Sequence, residues 1–401
     1  MTQGALAGLR VLELGLYVAA PFGTHALSQL GADVIKIESP RGGDPTRSVT
    51  KGGASGTFVS YSLGKRSVCI DLGTDAGQRI FQDLVKTAHV VMTNLAYDSL
   101  QRLHVGPEDC HRVNPDVVYC QVSGYGPGPR ERDMASNPLI EAATGVMFDH
   151  RIDGRPARLG PSYQDMFAGL YGVIGILAEL RSTRKNRTVE VGLFEAGMHV
   201  AARDLVAAQL ADSLAAHERG GEFQFPGYGA YVTADDRWVY LMMLADDHWS
   251  RFCAAMGLPE ATDDSLARQD QRRQQAGRVE GIVASAIAAR TLEELVPLFH
   301  SADFAFSEVV PPGKVLDDIQ AQQPGKTSVV HYRERDLVVP RFPVLAESIR
   351  ANLNDPPALG QHTHEVLLSL GYSEQQCTEF ADSGVAVFGG SGKEPIITTE
   401  S

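Results

Sequence analysis

The sequence predicts an α/β fold, with a Rossmann-like large domain built on a parallel sheet and a smaller α+β domain. Over about the first 190 residues, short apolar runs typical of buried strands alternate with helical segments. From about residue 194 the chain becomes helical and rich in alanine, which marks the start of a different region. These two observations define the fold class.

The first three elements form a βαβ unit. Residues 9–14 (LRVLEL) predict a buried strand, which is followed by a turn at Gly15 and a helix from about Pro21 to Leu30. Residues 33–38 (DVIKIE) predict the second strand. Two strands joined by a helix in this way predict a parallel pair with a right-handed crossover.

The same pattern continues along the chain. Residues 66–72 (RSVCIDL) predict a strand, 75–88 an amphipathic helix and 89–95 (HVVMTNL) another strand. A short helix at DSLQRLHV and a strand at 116–126 follow, and this strand ends in glycines. The repeated alternation predicts a doubly wound sheet.

Changes in composition divide the chain into four segments. Residues 1–195 predict the first part of the large domain, 196–222 a helical linker and 223–325 the small domain. Residues 326–401 contain a short helix, THEVLLSLG, and are expected to return to the large domain. The last dozen residues of this segment are expected to be disordered.

Composition excludes several classes of partner. The 401 residues carry a formal net charge of −13, so nucleic acid and anionic membrane surfaces are poor partners. No apolar stretch of about 20 residues is present, and the N-terminal residues lack the features of a signal peptide, so we expect a cytoplasmic protein. Five scattered cysteines without a CxxC pair, and the i, i+2 spacing of His362 and His364, predict no metal site.

The segment around Asp165 combines an acid with an unusual helix. A loop containing Gly160 and Pro161 leads into this helix, which carries glycines at three-residue spacing from Gly169 onward. These glycines allow another backbone or a ligand to approach closely. A carboxylate in the first turn is stabilised by the helix dipole. From this segment alone, Asp165 is either a helix N-cap or a positioned nucleophile.

Polar and basic residues follow several predicted strands. The set consists of Arg41, Arg47, Lys65, Arg66, Asn94 and Arg102. Ligands of open α/β sheets bind at the carboxyl ends of strands, so a basic cluster there indicates a small phosphate-bearing ligand. A set of solvated surface charges is the alternative. The first turn, LELGLYVAAPFG, lacks GxGxxG, so a dinucleotide is not expected.

Several motifs, taken in order, resemble the class III CoA transferases, the group of formyl-CoA transferase, carnitine-CoA transferase and methylacyl-CoA racemase. They are GLRVLELGLYVAAPFGTHALSQLGADVIKIESPRGGDPTR, KRSVCIDL, VMTNLAYDSLQRL, CQVSGYGPGP, the Asp165 helix and GQHTHEVLLSLGYS. The resemblance covers nearly the whole chain. It implies an interlocked homodimer in which each subunit has a large α/β domain formed by both termini and a small domain in between.

The resemblance also implies the reaction and its residues. Asp165 matches the catalytic aspartate of the family, and the substrates are an acyl-CoA and a small carboxylic acid, with no tightly bound cofactor and no metal. Backbone N–H groups near the start of its helix are expected to stabilise oxyanions. The positions that match CoA-binding residues of the family are Tyr17, Val18, Lys65, Arg66, Asn94 and Arg102. We add Arg41 of the basic cluster to these candidates.

Departures from the family pattern narrow the function. The racemase branch pairs its aspartate with a histidine whose position is Ser136 here, beside Asn137, and neither side chain is a base at neutral pH. The nearest histidine in sequence is His150. The run of glycines typical of formyl-CoA transferase is replaced by LMMLADDHWSRF. The segments SNPLIEAATG and PGYGAY are similar to the branch that acts on C4–C5 dicarboxylates, which makes Ser136, Asn137 and Tyr228 pocket candidates.

Three hypotheses therefore stand. The first is an acyl-CoA:carboxylate CoA transferase that uses Asp165 and accepts a small dicarboxylate. The second is an α-methylacyl-CoA racemase or epimerase, and the third is a non-catalytic acyl-CoA-binding subunit. Five arginines in predicted loops are candidates for binding the second carboxylate of the acceptor. The alternative is that these arginines are surface residues that contact only solvent. These are Arg130, Arg132, Arg151, Arg155 and Arg158.

Overall fold

The computed structural model describes residues 4–48, 55–210, 225–344 and 354–389. These residues form two compact units. The first unit combines the chain up to Leu205 with the chain from Pro324 onward, and the second spans Val206–Gln323. Part of the predicted linker and the end predicted to be disordered, residues 211–222 and 390–401, lie outside the described residues.

A large sheet forms the centre of the first unit. Among the described residues its seven strands are β1 (Arg10–Leu14), β2 (Asp33–Glu38), β3 (Arg66–Ile70), β4 (Val90–Thr93), β5 (Val118–Ser123), β8 (Arg187–Gly192) and β14 (Ala386–Val387). Their order is β14-β3-β2-β1-β4-β5-β8. The edge strand β14 is antiparallel to β3, and the other neighbours pair in parallel. The predicted α/β class with a mainly parallel sheet is confirmed.

Helices cover both faces of this sheet. The helices of the first unit are α1 (Ala19–Gln29), α2 (Gly56–Tyr61), α3 (Asp75–Thr87), α4 (Tyr97–Leu103), α5 (Pro107–Val113), α6 (Asn137–Ala143), α7 (Val146–Asp149), α8 (Tyr163–Glu179), α9 (Leu193–Val200), α15 (Thr363–Ser369) and α16 (Glu374–Asp382). Successive residues of a strand face opposite sides, so Val11 of β1 belongs to one apolar core and Leu12 to the other. Burial on both sides explains why the strands appear as continuous apolar runs.

Helices α1 and α8 are packed with their backbones in close contact. A Cβ atom added to Gly169 would overlap the carbonyl oxygen of Ala19, and one added to Gly23 would lie 2.8 Å from the carbonyl oxygen of Gly169. Both positions therefore require glycine. This contact connects α8, which carries Asp165, to the helix that follows the first strand.

The first unit also contains two hairpins. Strand β6 (Arg151–Ile152) pairs with β7 (Arg155–Pro156), and β12 (Thr327–Tyr332) pairs with β13 (Arg335–Pro340). After the second hairpin the chain returns to the large sheet. The hydroxyl oxygen of Thr363 in α15 accepts a hydrogen bond of 2.9 Å from the N–H of Cys69 in β3.

The second unit has its own core. It contains an antiparallel sheet, β9 (Gly229–Val232), β10 (Trp238–Leu241) and β11 (Phe306–Glu308), and the helices α11 (Asp246–Met256), α12 (Gln269–Gln274), α13 (Ala276–Ala288) and α14 (Leu292–Ser301). Helix α10 (Ala202–Leu210) spans the chain boundary between the units. The rings of Trp249, Phe252 and Phe299 are buried in this core. None of the helices in the described residues combines the length and apolar composition needed to cross a lipid bilayer.

Candidate active site around Asp165

Asp165 lies in the first turn of α8, directly after the loop that contains Gly160 and Pro161. The N-cap position of this helix belongs to Ser162. The Asp165 side chain is half-buried. Of the two interpretations of this acid, the structure excludes the N-cap.

Burial and the charges of Arg158 and Glu141 all act on the pKa of the Asp165 carboxylate. Burial raises the pKa of Asp165 to about 6, the Arg158 guanidinium acts to lower it, and the Glu141 carboxylate adds to the rise. Because this pKa is still below neutral pH, the group remains mainly ionised there. A poorly hydrated carboxylate with a raised pKa is more basic than a surface aspartate, and perturbed groups of this kind are concentrated at functional sites.

Asn137 holds the start of α8. Its side-chain carbonyl oxygen accepts hydrogen bonds from the N–H groups of Gln164 (3.0 Å) and Asp165 (3.4 Å). Its amide nitrogen donates to Oε1 of Glu141 at 2.5 Å, and Oε2 of Glu141 accepts the N–H of Leu159 at 3.3 Å. Both Asn137 and Glu141 are buried. The side chain of the predicted pocket candidate Asn137 therefore makes its hydrogen bonds within the protein, beside the predicted nucleophile Asp165.

These bonds change the prediction about oxyanion stabilisation. Asn137 takes the N–H groups of Gln164 and Asp165, Tyr163 donates to the carbonyl oxygen of Pro161 at 2.8 Å, and Met166 donates to that of Ser162 at 3.0 Å. The first-turn N–H groups of α8 are thus all engaged. These four N–H groups are therefore not free donors for an oxyanion in this conformation, and oxyanion stabilisation by other N–H groups of the preceding loop stays a prediction.

The turn between β1 and α1 carries two of the predicted CoA-binding residues. Tyr17 has a φ of 60°, in the left-handed region, and its ring is exposed. Its N–H donates to Oδ1 of Asp44 at 3.3 Å, which fixes the turn. Val18 follows as the half-buried N-cap of α1. The turn thus presents the Tyr17 ring to solvent.

Asn94 stabilises the same turn. Its side-chain oxygen accepts the N–H of Leu16 at 2.9 Å, and its side-chain nitrogen donates to the carbonyl oxygen of Leu16 at 2.8 Å. Strand β4, which leads to Asn94, pairs directly with β1. Asn94 and Tyr17 are therefore brought together at the carboxyl ends of neighbouring strands, with the Asn94 amide bound to the backbone.

Lys65 does not lie where its ammonium group could contact a ligand. Its side chain is fully buried, and its ammonium group donates to Glu13 (2.6 Å), the carbonyl oxygen of Pro21 (2.8 Å) and Thr24 (2.9 Å). Lys36 donates to the other oxygen of Glu13 at 2.6 Å. The predicted direct contact of Lys65 with CoA is not supported by this position, because all three ammonium hydrogens have partners inside the protein.

The remaining basic residues of the predicted cluster differ in availability. Arg66 pairs with Asp33 at 2.6 Å and is partly exposed. Arg41 is 82% exposed and approaches Asp71 at 3.9 Å. Arg102 is exposed on α4, with Ser99 at 3.5 Å. The guanidinium groups of Arg41 and Arg102 are therefore accessible to an anionic ligand. Arg47 is buried against Glu38, with which it forms a 2.7 Å ion pair.

The other pocket candidates occupy separate positions. Ser136 is exposed at the N-cap of α6. Tyr228 belongs to the second unit, where its ring packs edge-to-face on Tyr240. His150, the histidine nearest in sequence to the racemase position, has its Nδ1 2.9 Å from the carbonyl oxygen of Ala157. No group of three or more histidine, cysteine and carboxylate side chains within the described ranges could hold a metal ion.

The loop arginines are not equivalent. Arg130 pairs with Asp133 at 2.8 Å, Arg132 lies 3.3 Å from Asp98, and Arg151 packs on the Phe148 ring. Arg158 donates to the carbonyl oxygen of Gly160 at 3.4 Å and is the arginine whose charge acts on Asp165. Arg155 lies exposed on β7.

Sequence reasoning missed Tyr61 beside Asp165 and the buried ion pair of Glu13 and Lys36 in the large sheet. The negative charge of Asp165 acts with burial to raise the pKa of Tyr61, whose ring packs edge-to-face on Phe22 of α1 at 5.2 Å. Tyr61 gave no signal because an aromatic residue in a short helix usually belongs to a core. Glu13 and Lys36 did give a signal, since each is a charged residue within an apolar strand.

A family model, curated sequences and solved structures all relate this chain to the same family of proteins. The model of CoA-transferase family III matches residues 6–363. The beta subunit of succinyl-CoA–L-malate CoA-transferase from Chloroflexus aurantiacus is 30% identical over 406 residues, covering 95% of this chain and 98% of that protein. The succinyl-CoA:mesaconate CoA-transferase of Haloarcula hispanica is 29% identical over 397 residues, covering 92% and 97%.

The fold is also that of a solved structure. A CAIB/BAIF family protein from Brucella suis superimposes with a TM-score of 0.81 at 23% identity, covering 92% of this chain and 100% of that chain. This likeness shows the fold, and the family model together with the sequence relatives shows the class of enzyme. The chain belongs to CoA-transferase family III and is a CoA transferase.

Proposed function

We propose that this protein transfers CoA from an acyl-CoA to a small dicarboxylic acid, with Asp165 as the nucleophile. The observation that carries the proposal is the Asp165 carboxylate, which is half-buried, does not cap its helix and has a pKa raised to about 6 by burial. A carboxylate that is both ionised and poorly hydrated at neutral pH suits attack on an activated acyl group.

The reaction proceeds through covalent intermediates. Asp165 attacks the thioester carbonyl carbon, the C–S bond breaks, and CoA leaves as a thiolate, which gives an aspartyl–acyl anhydride. The thiolate then attacks the aspartyl carbonyl carbon, and the donor acid leaves as a carboxylate. Asp165 is now an aspartyl-CoA thioester.

The second half repeats these steps with the acceptor. The acceptor carboxylate attacks the aspartyl thioester and displaces the CoA thiolate, which gives a new anhydride. Attack of the thiolate on the acceptor acyl carbon forms the new acyl-CoA and restores the Asp165 carboxylate. No proton, electron or metal ion is consumed, and each step exchanges one acyl bond for another.

The names of the relatives support a dicarboxylate substrate pair. They describe CoA transfer from succinyl-CoA to L-malate, mesaconate, D-citramalate and glutarate. Each of these acids carries a second carboxylate that must be bound away from the reacting one. Arg158, which acts electrostatically on Asp165, is the candidate for this contact.

For CoA itself we propose the exposed Arg41 and Arg102 as phosphate contacts, and the turn of Tyr17 and Val18, held by Asn94, as the surface beside the thioester. We also propose that the protein is a homodimer whose large domain is formed by both ends of the chain. Large apolar side chains that are exposed in the segment leading to Asp165 are compatible with burial against a second subunit. They include Met134, Leu139, Phe148 and Tyr163.

The test is mass spectrometry of the protein after incubation with succinyl-CoA and trapping with hydroxylamine. We expect a hydroxamate on the peptide that contains Asp165, and none in the Asp165→Ala variant. If neither succinyl-CoA nor a panel of other acyl-CoAs gives an adduct, the nucleophile assignment is wrong. Exchange of the α-hydrogen with deuterated solvent would then indicate a racemase, and CoA binding without turnover a non-catalytic subunit.

A further inference from the structure

Asn137 and Glu141 form a hydrogen-bonded pair that contacts both the first turn of α8 and the loop before it. The Asn137 oxygen accepts two N–H groups of α8, and its nitrogen donates to Glu141. Asn137 is 3% exposed and Glu141 is fully buried. The Ser162 side chain, at the N-cap of α8, makes no capping hydrogen bond. Asn137, which lies on a separate helix, provides the acceptor for these N–H groups instead.

Glu141 extends this connection to the loop before α8. Its second oxygen accepts the N–H of Leu159, which is adjacent to Arg158. Among the described residues, no lysine, arginine or histidine lies within ion-pair distance of Glu141. A buried carboxylate held only by an amide and a backbone N–H is costly, so a task beyond packing is required to explain it.

We infer that Asn137 and Glu141 are positioning residues for Asp165. Asn137 fixes the first turn of α8, and Glu141 fixes both Asn137 and the loop that presents Arg158. The pair thereby sets the direction in which the Asp165 carboxylate faces the thioester. This inference rests on the proposed function, in which Asp165 is the nucleophile.

The charged groups around Asp165 determine the pH at which its carboxylate becomes protonated. Arg158 favours its ionised form, Glu141 opposes it, and Tyr61 is close enough to be affected by its charge. Replacing Glu141 by glutamine removes the opposing negative charge, so the pKa of Asp165 falls. The loss of activity on acidification then occurs at lower pH than in the wild type.

The experiment compares four full-length proteins: the wild type, Asn137→Asp, Glu141→Gln and Asn114→Asp. Asn114 is the matched control because it also uses its whole amide, donating to the carbonyl oxygens of Val85 and Ala88 and accepting the N–H of Asp116. The readouts are kcat and KM with succinyl-CoA and a dicarboxylate, the rate of hydroxamate formation on Asp165 against pH, and the thermal unfolding temperature.

Asn137→Asp keeps the oxygen that accepts the α8 N–H groups but loses the donor to Glu141 and adds a negative charge. We expect kcat to fall about a hundredfold, as for a misplaced catalytic group, with little change in KM. Glu141→Gln should lower kcat and move the acid limb of the hydroxamate rate to lower pH. Asn114→Asp should lower the unfolding temperature and leave kcat unchanged.

Each outcome decides the matter. Wild-type adduct formation with unchanged rates and pH profiles in Asn137→Asp and Glu141→Gln would overturn the inference and leave the proposed function intact. The absence of any wild-type adduct would overturn both. If Glu141→Gln does not fold, Glu141→Asp replaces it: this variant keeps the charge, so it should lower kcat through geometry while the acid limb stays in place, and an unchanged kcat would contradict the inference.

Discussion

At Asp165, burial and two charged neighbours act on a single carboxylate. Burial and Glu141 favour the protonated form, whereas Arg158 favours the ionised form. The balance raises the pKa of Asp165 to about 6. The group is therefore ionised under the conditions in which it would act as a nucleophile, at a cost to the stability of the folded protein.

This cost predicts that Asp165→Asn stabilises the protein. The folded pKa is raised above the unfolded value of 3.8, so ionisation disfavours the folded state once the pH exceeds the unfolded pKa. At pH 7 we expect Asp165→Asn to increase the free energy of unfolding by about 1 to 2 kcal/mol and to abolish adduct formation. Urea denaturation at several pH values measures the effect. The advantage should shrink below pH 6 and vanish near pH 4, and an advantage that is constant with pH would contradict this account.

A second prediction concerns Arg158 and substrate choice. Arg158→Gln should raise the KM for dicarboxylic acceptors about tenfold and leave the KM for monocarboxylic acceptors unchanged, because it removes one charge-assisted contact. The acid limb of the rate should also move to higher pH, since Arg158 lowers the pKa of Asp165. Steady-state kinetics with paired acids measure both effects. Arg155→Gln is the control, because Arg155 is exposed on the neighbouring strand β7. Equal losses for both acid classes would exclude the clamp.

At the scale of elements, the contact between α1 and α8 connects the first strand to the candidate nucleophile. Glycine at 169 permits this approach, and any larger residue separates the two helices. Gly169→Ala should lower the free energy of unfolding by about 1 to 3 kcal/mol, the range for overpacked sites, and should lower kcat because α8 carries Asp165. Gly281→Ala in α13 is the control, since a Cβ there has open space, and it should stabilise the protein. A neutral Gly169→Ala would show that the helices adjust without loss.

The predictability of each element follows from its burial. The strands β1 to β5 were predicted because burial on both faces makes them continuous apolar runs. The edge strand β8 was missed because it is not a continuous apolar run: its exposed residues alternate with half-buried ones, a pattern that the prediction did not use. Strand β14 was missed because two residues carry no pattern. The position of Asp165 at a helix start was predicted from the sequence, and its role as nucleophile, taken from the family resemblance, stays a prediction. The buried state of Lys65 was not predicted, because its partner Glu13 lies 52 residues away in the chain.

At the scale of the whole molecule, buried ions hold the centre of the large sheet together. Glu13 of β1 receives the ammonium groups of Lys36 of β2 and of Lys65, which directly precedes β3. Burial alone would raise the pKa of Glu13, but the two ammonium groups hold it at about 2. Lys36 also pairs with Asp44, which accepts the N–H of Tyr17. One network therefore joins three strands and the first turn.

This network predicts a global effect of Glu13→Gln. The variant leaves the buried Lys65 ammonium without a carboxylate and Lys36 with Asp44 alone, so we expect a loss of about 3 to 5 kcal/mol in the free energy of unfolding. Glu190→Gln, on the exposed side of β8, should change it by less than about 0.5 kcal/mol. Chemical denaturation followed by circular dichroism measures both. Because the pKa of Glu13 is depressed from 4.5 to about 2, the wild-type contribution should be complete above about pH 5, decline as the pH falls below 4.5 and disappear as the pH falls through 2. If Glu13→Gln retained wild-type stability, the network would not be what fixes β1, β2 and the first turn, and the placement of Tyr17 would need another cause.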